Sequence, residues 1–260
     1  MAATRAKTPK AAAKPEAGPC AALADVLARQ LQLSLLPGDT PCPPERLKEA
    51  AEFLLDTACR RKADEPAIAV RSAVNGHRYM AIAIVNDDMP FLVDSVAATI
   101  AAQGLAIDRL VHPVLPVRRD GQGTLTVLAP EHAEGEKRES MIYVETARID
   151  AKQRRELASA LAATLADVRA AVEDWPRMRT ALAEDADRLA DPEGAALLRW
   201  LGDGMLTQLG HLTRMRDGTQ RDLMGICRKS ARDLLADATF ERAFAWFDKG
   251  GAGAEGEGRG

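Results

Sequence analysis

Two adjacent carboxylates, Asp87 and Asp88, are the best candidates in this sequence for acid-base work, because paired acids can be driven to different protonation states by one site. They lie in Asn86-Asp87-Asp88-Met89-Pro90, between two apolar runs, where the same residue types also suit a turn and a helix cap. His77, His112, His132 and His211 show no ligand spacing and read as solvated or hydrogen-bonded rings rather than as a metal or catalytic centre. Cys20, Cys42, Cys59 and Cys227 form no CxxC pair, which fits reduced thiols better than a disulfide framework or a zinc site. Gly251-x-Gly253-x-x-Gly256 spells the dinucleotide fingerprint, yet it follows a helical pattern instead of a strand and opens no helix that could take a phosphate. No P-loop, HExxH or GxSxG motif occurs. The reading is therefore of no catalytic residue, no metal ligands and no cofactor site within the chain.

The elements that must position the acid pair follow from periodicity. Tyr79 to Val85 is a branched, apolar run suited to a buried strand. Met89-Pro90 predicts a helix start with proline at its first position, and the apolar residues at 92, 93, 96 and 100 give that helix one face before Gly104 stops it. Leu105 to Val111 returns as a strand, and His112-Pro113 bends it or brings it to an edge. Asn75-Gly76 predicts a hairpin joining an earlier strand, Ile68 to Val74, to the central one. Asp120 to Gly123 marks a turn into Thr124 to Leu128, and a charged loop from Glu131 to Glu139 precedes a strand from Met141 to Arg148. Asp150 caps a helix whose Leu157, Leu161, Leu165, Val168, Val172 and Trp175 make one narrow apolar seam, which Trp175-Pro176 is expected to end.

The run NDDMPFLVDSV at 86–96, followed by a glycine, HPV and RRDGQG, resembles the N-terminal region of the large bacterial NAD-specific glutamate dehydrogenases, and the resemblance continues through ESMIYVE, DVRAAVEDW and LLRWLGDG. It covers roughly residues 67 to 215. It implies an α+β fold, an ACT-like, ferredoxin-like βαββαβ module, to which apolar periodicity adds an N-terminal helical pair before it and a mostly helical partial module after it. In ACT-like modules the strand-to-helix loop often holds a small amino-acid effector. That makes Asn86, Asp87, Asp88, Met89 and Pro90 the candidate effector-binding residues, with helix N–H groups for a carboxylate and Asp87 or Asp88 for an ammonium. Phe91 stands where ligand-binding members commonly carry glycine, which fits a plugged pocket and an assembly role equally well. The family oxidises L-glutamate with NAD and water to 2-oxoglutarate, ammonium and NADH. Its dehydrogenase domain lies far downstream of the region matched here, so the chain alone is expected to be inactive.

The expected organisation is a disordered tail at 1–19, helices at 20–62, the ACT-like module at 63–175, a partial second module at 176–249 and a Gly-rich tail at 250–260. A net charge of −3 across 260 residues predicts no general attraction to nucleic acid or membrane. No apolar run reaches the length of a membrane span and no signal sequence is evident, so a cytoplasmic location is expected. The expected partners are a second copy or a glutamate dehydrogenase catalytic chain, with a small amino acid as effector. A free-standing amino-acid sensor is the alternative, and a purely structural docking piece a third.

Overall fold

The structure, a computed structural model, describes residues 20–35, 41–75, 77–129, 137–231 and 237–249. The tails expected at 1–19 and 250–260, the Gly-rich fingerprint, Gly76 and His132 lie outside the described residues.

Two strands form the centre. β2 (His77–Asp87) and β6 (Lys137–Thr146) pair antiparallel from Met80↔Thr146 to Asp87↔Glu139. Both are covered on both faces, which is why they read as nearly unbroken apolar runs. β1 (Ala67–Asn75) pairs with β2 down to Asn75↔His77, so the expected pairing is present, but Val74 stands opposite Arg78 and not opposite His77 as a two-residue Asn75-Gly76 turn would require. On the other side of β6 run two short strands end to end, β3 (Ile107–Val111) and β4 (Val114–Arg119), with β5 (Leu125–Leu128) outside β4. His112-Pro113 is the break between β3 and β4, so the expected bend is present and lets one strand of the sheet be built in two pieces. The order β1-β2-β6-β4-β5 is antiparallel throughout. The class is α+β, as expected, though the strand beside β2 precedes it in the chain, and among the described residues none from beyond the sheet's last helix joins it.

Alternate side chains of the central strands feed two cores. Ala81, Ala83, Val85, Met141 and Tyr143 face α1 (Ala24–Leu33) and α2 (Pro44–Ala58), whose Leu27, Leu31, Ala51, Leu54 and Leu55 are buried there. Ile82, Ile84, Ile142 and Val144 face α3 (Leu92–Ala102) and α4 (Ala151–Arg188), meeting Val96, Ile100, Leu157, Leu161 and Leu165. α4 begins with a full capping box, Asp150 bonded to the Lys152 and Gln153 amides and Gln153 returning to the Asp150 amide.

Several expectations are corrected. α3 starts at Leu92, not at Pro90; Phe91 occupies the cap position with left-handed backbone, φ 69°. β6 begins at Lys137, four residues before the expected Met141, because Lys137 to Ser140 pair with β4. α4 does not end at Trp175-Pro176 but continues to Arg188. Proline there costs one helical hydrogen bond, and burial of the apolar Met178 and Ala186 on the second half offsets it. Cys20 and Cys59 are not separate thiols: they are joined in a disulfide, Cα atoms 5.9 Å apart, while Cys42 and Cys227 are free.

Beyond α4, α5 (Pro192–Trp200) is capped by Asp191 with proline at its first position. β7 (Gly210–Arg214) pairs with β8 (Gln220–Gly225) in a separate hairpin against α4. Short α6 (Asp237–Asp248) follows. No helix among the described residues is long and apolar enough to cross a membrane.

Candidate functional site

The five residues singled out by sequence occupy the end of β2 and the turn into α3, but they do not share one environment. Asn86 is buried, and its Oδ1 accepts from Arg169 Nη2 at 2.8 Å while its Nδ2 has no partner among the described residues. Asp87 is held by two arginines, Oδ1 from Arg61 Nη2 at 2.5 Å and Oδ2 from Arg169 Nη2 at 2.6 Å. Asp88 is exposed, its amide bonded to the Arg138 carbonyl. Met89 packs on the α3/α4 core, and Pro90 is exposed beside Phe91.

Sequence reading missed the strongest polar feature, the Arg61–Glu139–Arg119 cluster. Arg61 follows α2 and is buried at 6% exposure. Its Nε and Nη2 reach Glu139 Oε1 at 3.2 and 2.7 Å. Arg119, from the end of β4, clasps the same carboxylate with Nε at 2.7 Å from Oε1 and Nη2 at 2.7 Å from Oε2. Its Nη1 donates to the carbonyls of Ala58 and Gly123. Glu139 stands opposite Asp87 across β2 and β6, so one end of the sheet carries two carboxylates on one face, both consumed by arginines from α2's exit, β4 and α4. This joins the N-terminal helices, the sheet and α4 at one point. A cleft of about 720 Å³ opens over it, lined also by Lys62, Lys137 and the turn Asp120 to Gly123.

Acid-base chemistry at Asp87 is not what this geometry favours. Burial alone would raise its pKa, but the bonds from Arg61 and Arg169 outweigh burial and hold it below the ordinary carboxylate range. A carboxylate whose folded pKa is depressed stabilises the fold fully above its unfolded pKa of about 3.9, and that contribution drains away as the pH falls through the folded value. Urea midpoints are expected to fall as the pH drops below about 4, with a shallower fall in Asp87→Asn. An acid limb of equal depth in the variant would contradict the assignment.

The other sequence candidates are structural. His112 Nε2 lies 2.5 Å from Ser140 Oγ, with burial lowering the imidazole's pKa and Asp88 partly opposing it. Ser140 is fully buried, so this pair is no exposed nucleophile. His211 lies on β7, remote from the turn at Asp87 in both sequence and sheet. Among the described residues no three His, Cys, Asp or Glu side chains gather as a metal would require. At the far end of the sheet Glu145 takes Arg46 of α2 and the Tyr143 hydroxyl, pinning α2 a second time. Asp174, buried on α4, accepts from the Gly225 amide at 2.8 Å and pairs with Arg228 and Arg177, which fixes the β7–β8 hairpin to the helix.

A five-position antiparallel sheet with helices on both faces and a strand–turn–helix joint at its end makes an α+β domain. Residues 39–161 match the family model described as glutamate dehydrogenase, ACT1 domain. The chain is 36% identical over 144 residues to the NAD-specific glutamate dehydrogenase of Halomonas elongata, and 33% identical over 131 residues to that of Pseudomonas aeruginosa. These alignments cover 50% and 49% of this chain but only 9% and 7% of those proteins. Over about half its length, then, the chain carries the N-terminal, ACT-like region of the NAD-specific glutamate dehydrogenase family.

Proposed function

We propose that this chain is an assembly and regulatory region of an NAD-specific glutamate dehydrogenase, and that it does not itself oxidise glutamate or hold NAD. One observation carries the assembly reading. The ACT-like domain closes an apolar core on each face of its sheet, whereas the segments after it leave large apolar side chains in solvent: Leu189, Leu197, Trp200, Met205, Trp246 and Phe247. We read these side chains as parts of a protein interface, the role that contiguous exposed apolar surface serves. The partner is a second copy of the chain or the catalytic part of the dehydrogenase, and the α2–β4–α4 ion cluster keeps the domain rigid while it docks.

A second reading, an amino-acid sensor at Asn86 to Pro90, draws on the exposed Asp88 and the unpartnered Asn86 amide. Against it, Asp87 is already committed to two arginines and Phe91 fills the cap position. A thermal-shift screen of the purified chain with the common amino acids and 2-oxoglutarate separates the two readings, since a ligand bound only by the folded state must raise the melting midpoint. The assembly reading expects no shift that depends on Asp88. A shift present in the parent and lost in Asp88→Ala would install the sensor reading instead.

A further inference from the structure

β5 is the last strand on its side of the sheet, and the chain leaving α2 runs beside its outer edge. Arg60 bridges to Thr124, the Arg61 amide donates to the Gly123 carbonyl at 3.3 Å, and the Leu125 amide donates to the Cys59 carbonyl at 3.0 Å. An uncovered sheet edge offers its N–H and C=O groups to any passing strand, so this segment acts as an edge cover. The Cys20–Cys59 disulfide fastens the cover to the start of the N-terminal helices, 39 residues back along the chain. The same segment delivers Arg61 to Glu139 and Asp87, so whatever loosens it also reaches the joint between the helices, the sheet and α4.

Two observations show that the pair can exist in either redox state without loss of the fold. The Leu125 carbonyl lies 3.4 Å from Cys20 Sγ. A disulfide sulfur has no hydrogen to offer that oxygen, whereas the thiol of a reduced Cys20 does, so Cys20, only 3% exposed, has an acceptor in place once the bond is broken. The helices are also held without the bond, because Leu27, Leu31, Leu54 and Leu55 are buried in the core beneath them.

We propose that Cys20 and Cys59 form a redox switch that sets how firmly the α2 exit covers the edge of β5. The electrons come from a dithiol reductant. Its thiolate attacks the sulfur of Cys59, the more exposed residue of the pair, the S–S bond breaks, and Cys20 leaves as a thiolate that takes a proton. The reductant's second thiol then displaces Cys59, so two electrons and two protons pass to the pair and the reductant ends as a disulfide. In the reduced state backbone hydrogen bonds and the Cys20 S–H hold the cover, and it opens more often. The switch does not depend on the dehydrogenase reading, because it needs neither an effector nor a partner chain.

The test equilibrates the full chain with dithiothreitol at several ratios of its reduced and oxidised forms. Alkylation and mass spectrometry count the thiols, and peptide-level hydrogen exchange reports opening. Two reactive thiols are expected to become four, reversibly and with the far-ultraviolet circular dichroism unchanged. Exchange across 59–61 and 123–125 is expected to quicken about tenfold on reduction while β2 and β6 stay as they were. Cys20→Ser, which keeps a hydroxyl for the Leu125 carbonyl, is expected to show the fast exchange without reductant and to stop responding to it. A pair that excess dithiothreitol cannot reduce in the folded chain, a chain that unfolds throughout on reduction, or equal exchange in the two states would each overturn the proposal. So would a response to dithiothreitol that persists in Cys20→Ser.

Discussion

Glu139→Ala is expected to cost about 3–5 kcal/mol, the usual penalty for stranding buried charge, and to lower the melting midpoint by roughly 10 °C. The reason is the number of groups that lose their partner at once. Arg61 and Arg119 both spend their guanidinium donors on this one carboxylate, and Arg61's side chain is only 4% exposed. Without Glu139, Arg61 keeps Asp87 and the Glu65 carbonyl, and Arg119 keeps two carbonyls, but two cations then face each other across a vacated site. Urea denaturation of the parent and the variant measures the effect. A loss below about 1 kcal/mol, the range of an exposed pair, would show that the cluster is not the joint described here.

Gly123→Ala is expected to cost about 2–4 kcal/mol, although it adds a single methyl group. Gly123 has φ 81°, which an L residue adopts only at a cost, and a Cβ built there would lie 2.4 Å from the Arg61 carbonyl oxygen. That oxygen is backbone, so relief means moving the chain that carries Arg61, which is also bonded from its amide to the Gly123 carbonyl. Gly121, two residues away in the same turn, is the internal control: a Cβ there meets nothing within 4 Å, and Gly121→Ala is expected to change stability by no more than about 0.5 kcal/mol. Equal effects at the two positions would contradict the close approach of turn and helix exit.

What could be read from sequence was local. The β1–β2 pairing, the break at His112-Pro113, the cap at Asp150 and the α4 seam each rest on signals within a few residues, and each is in place, though the β1–β2 register is one residue off that of a two-residue turn. The features that escaped are those whose partners lie far along the chain. Arg61 and Glu139 are 78 residues apart and Cys20 and Cys59 are 39 apart, and no spacing rule joins either pair. Pro176 misled for a related reason, since its local cost is fixed by chemistry while the packing that outweighs it comes from β8, about fifty residues later. At the candidate site the acids were found in the right place, at a strand end before a helix. Their role was not legible, because Arg61 and Arg169, which neutralise Asp87, arrive from elements on opposite faces of the sheet.

Sedimentation velocity of the purified chain, alone and mixed with an NAD-specific glutamate dehydrogenase lacking its own ACT1 domain, tests the assembly role most directly. The expected result is a concentration-dependent shift to an oligomer of the chain, or co-sedimentation with the dehydrogenase, in either case weakened by Trp200→Glu. A chain that sediments as a monomer at every concentration and never travels with the dehydrogenase would contradict it.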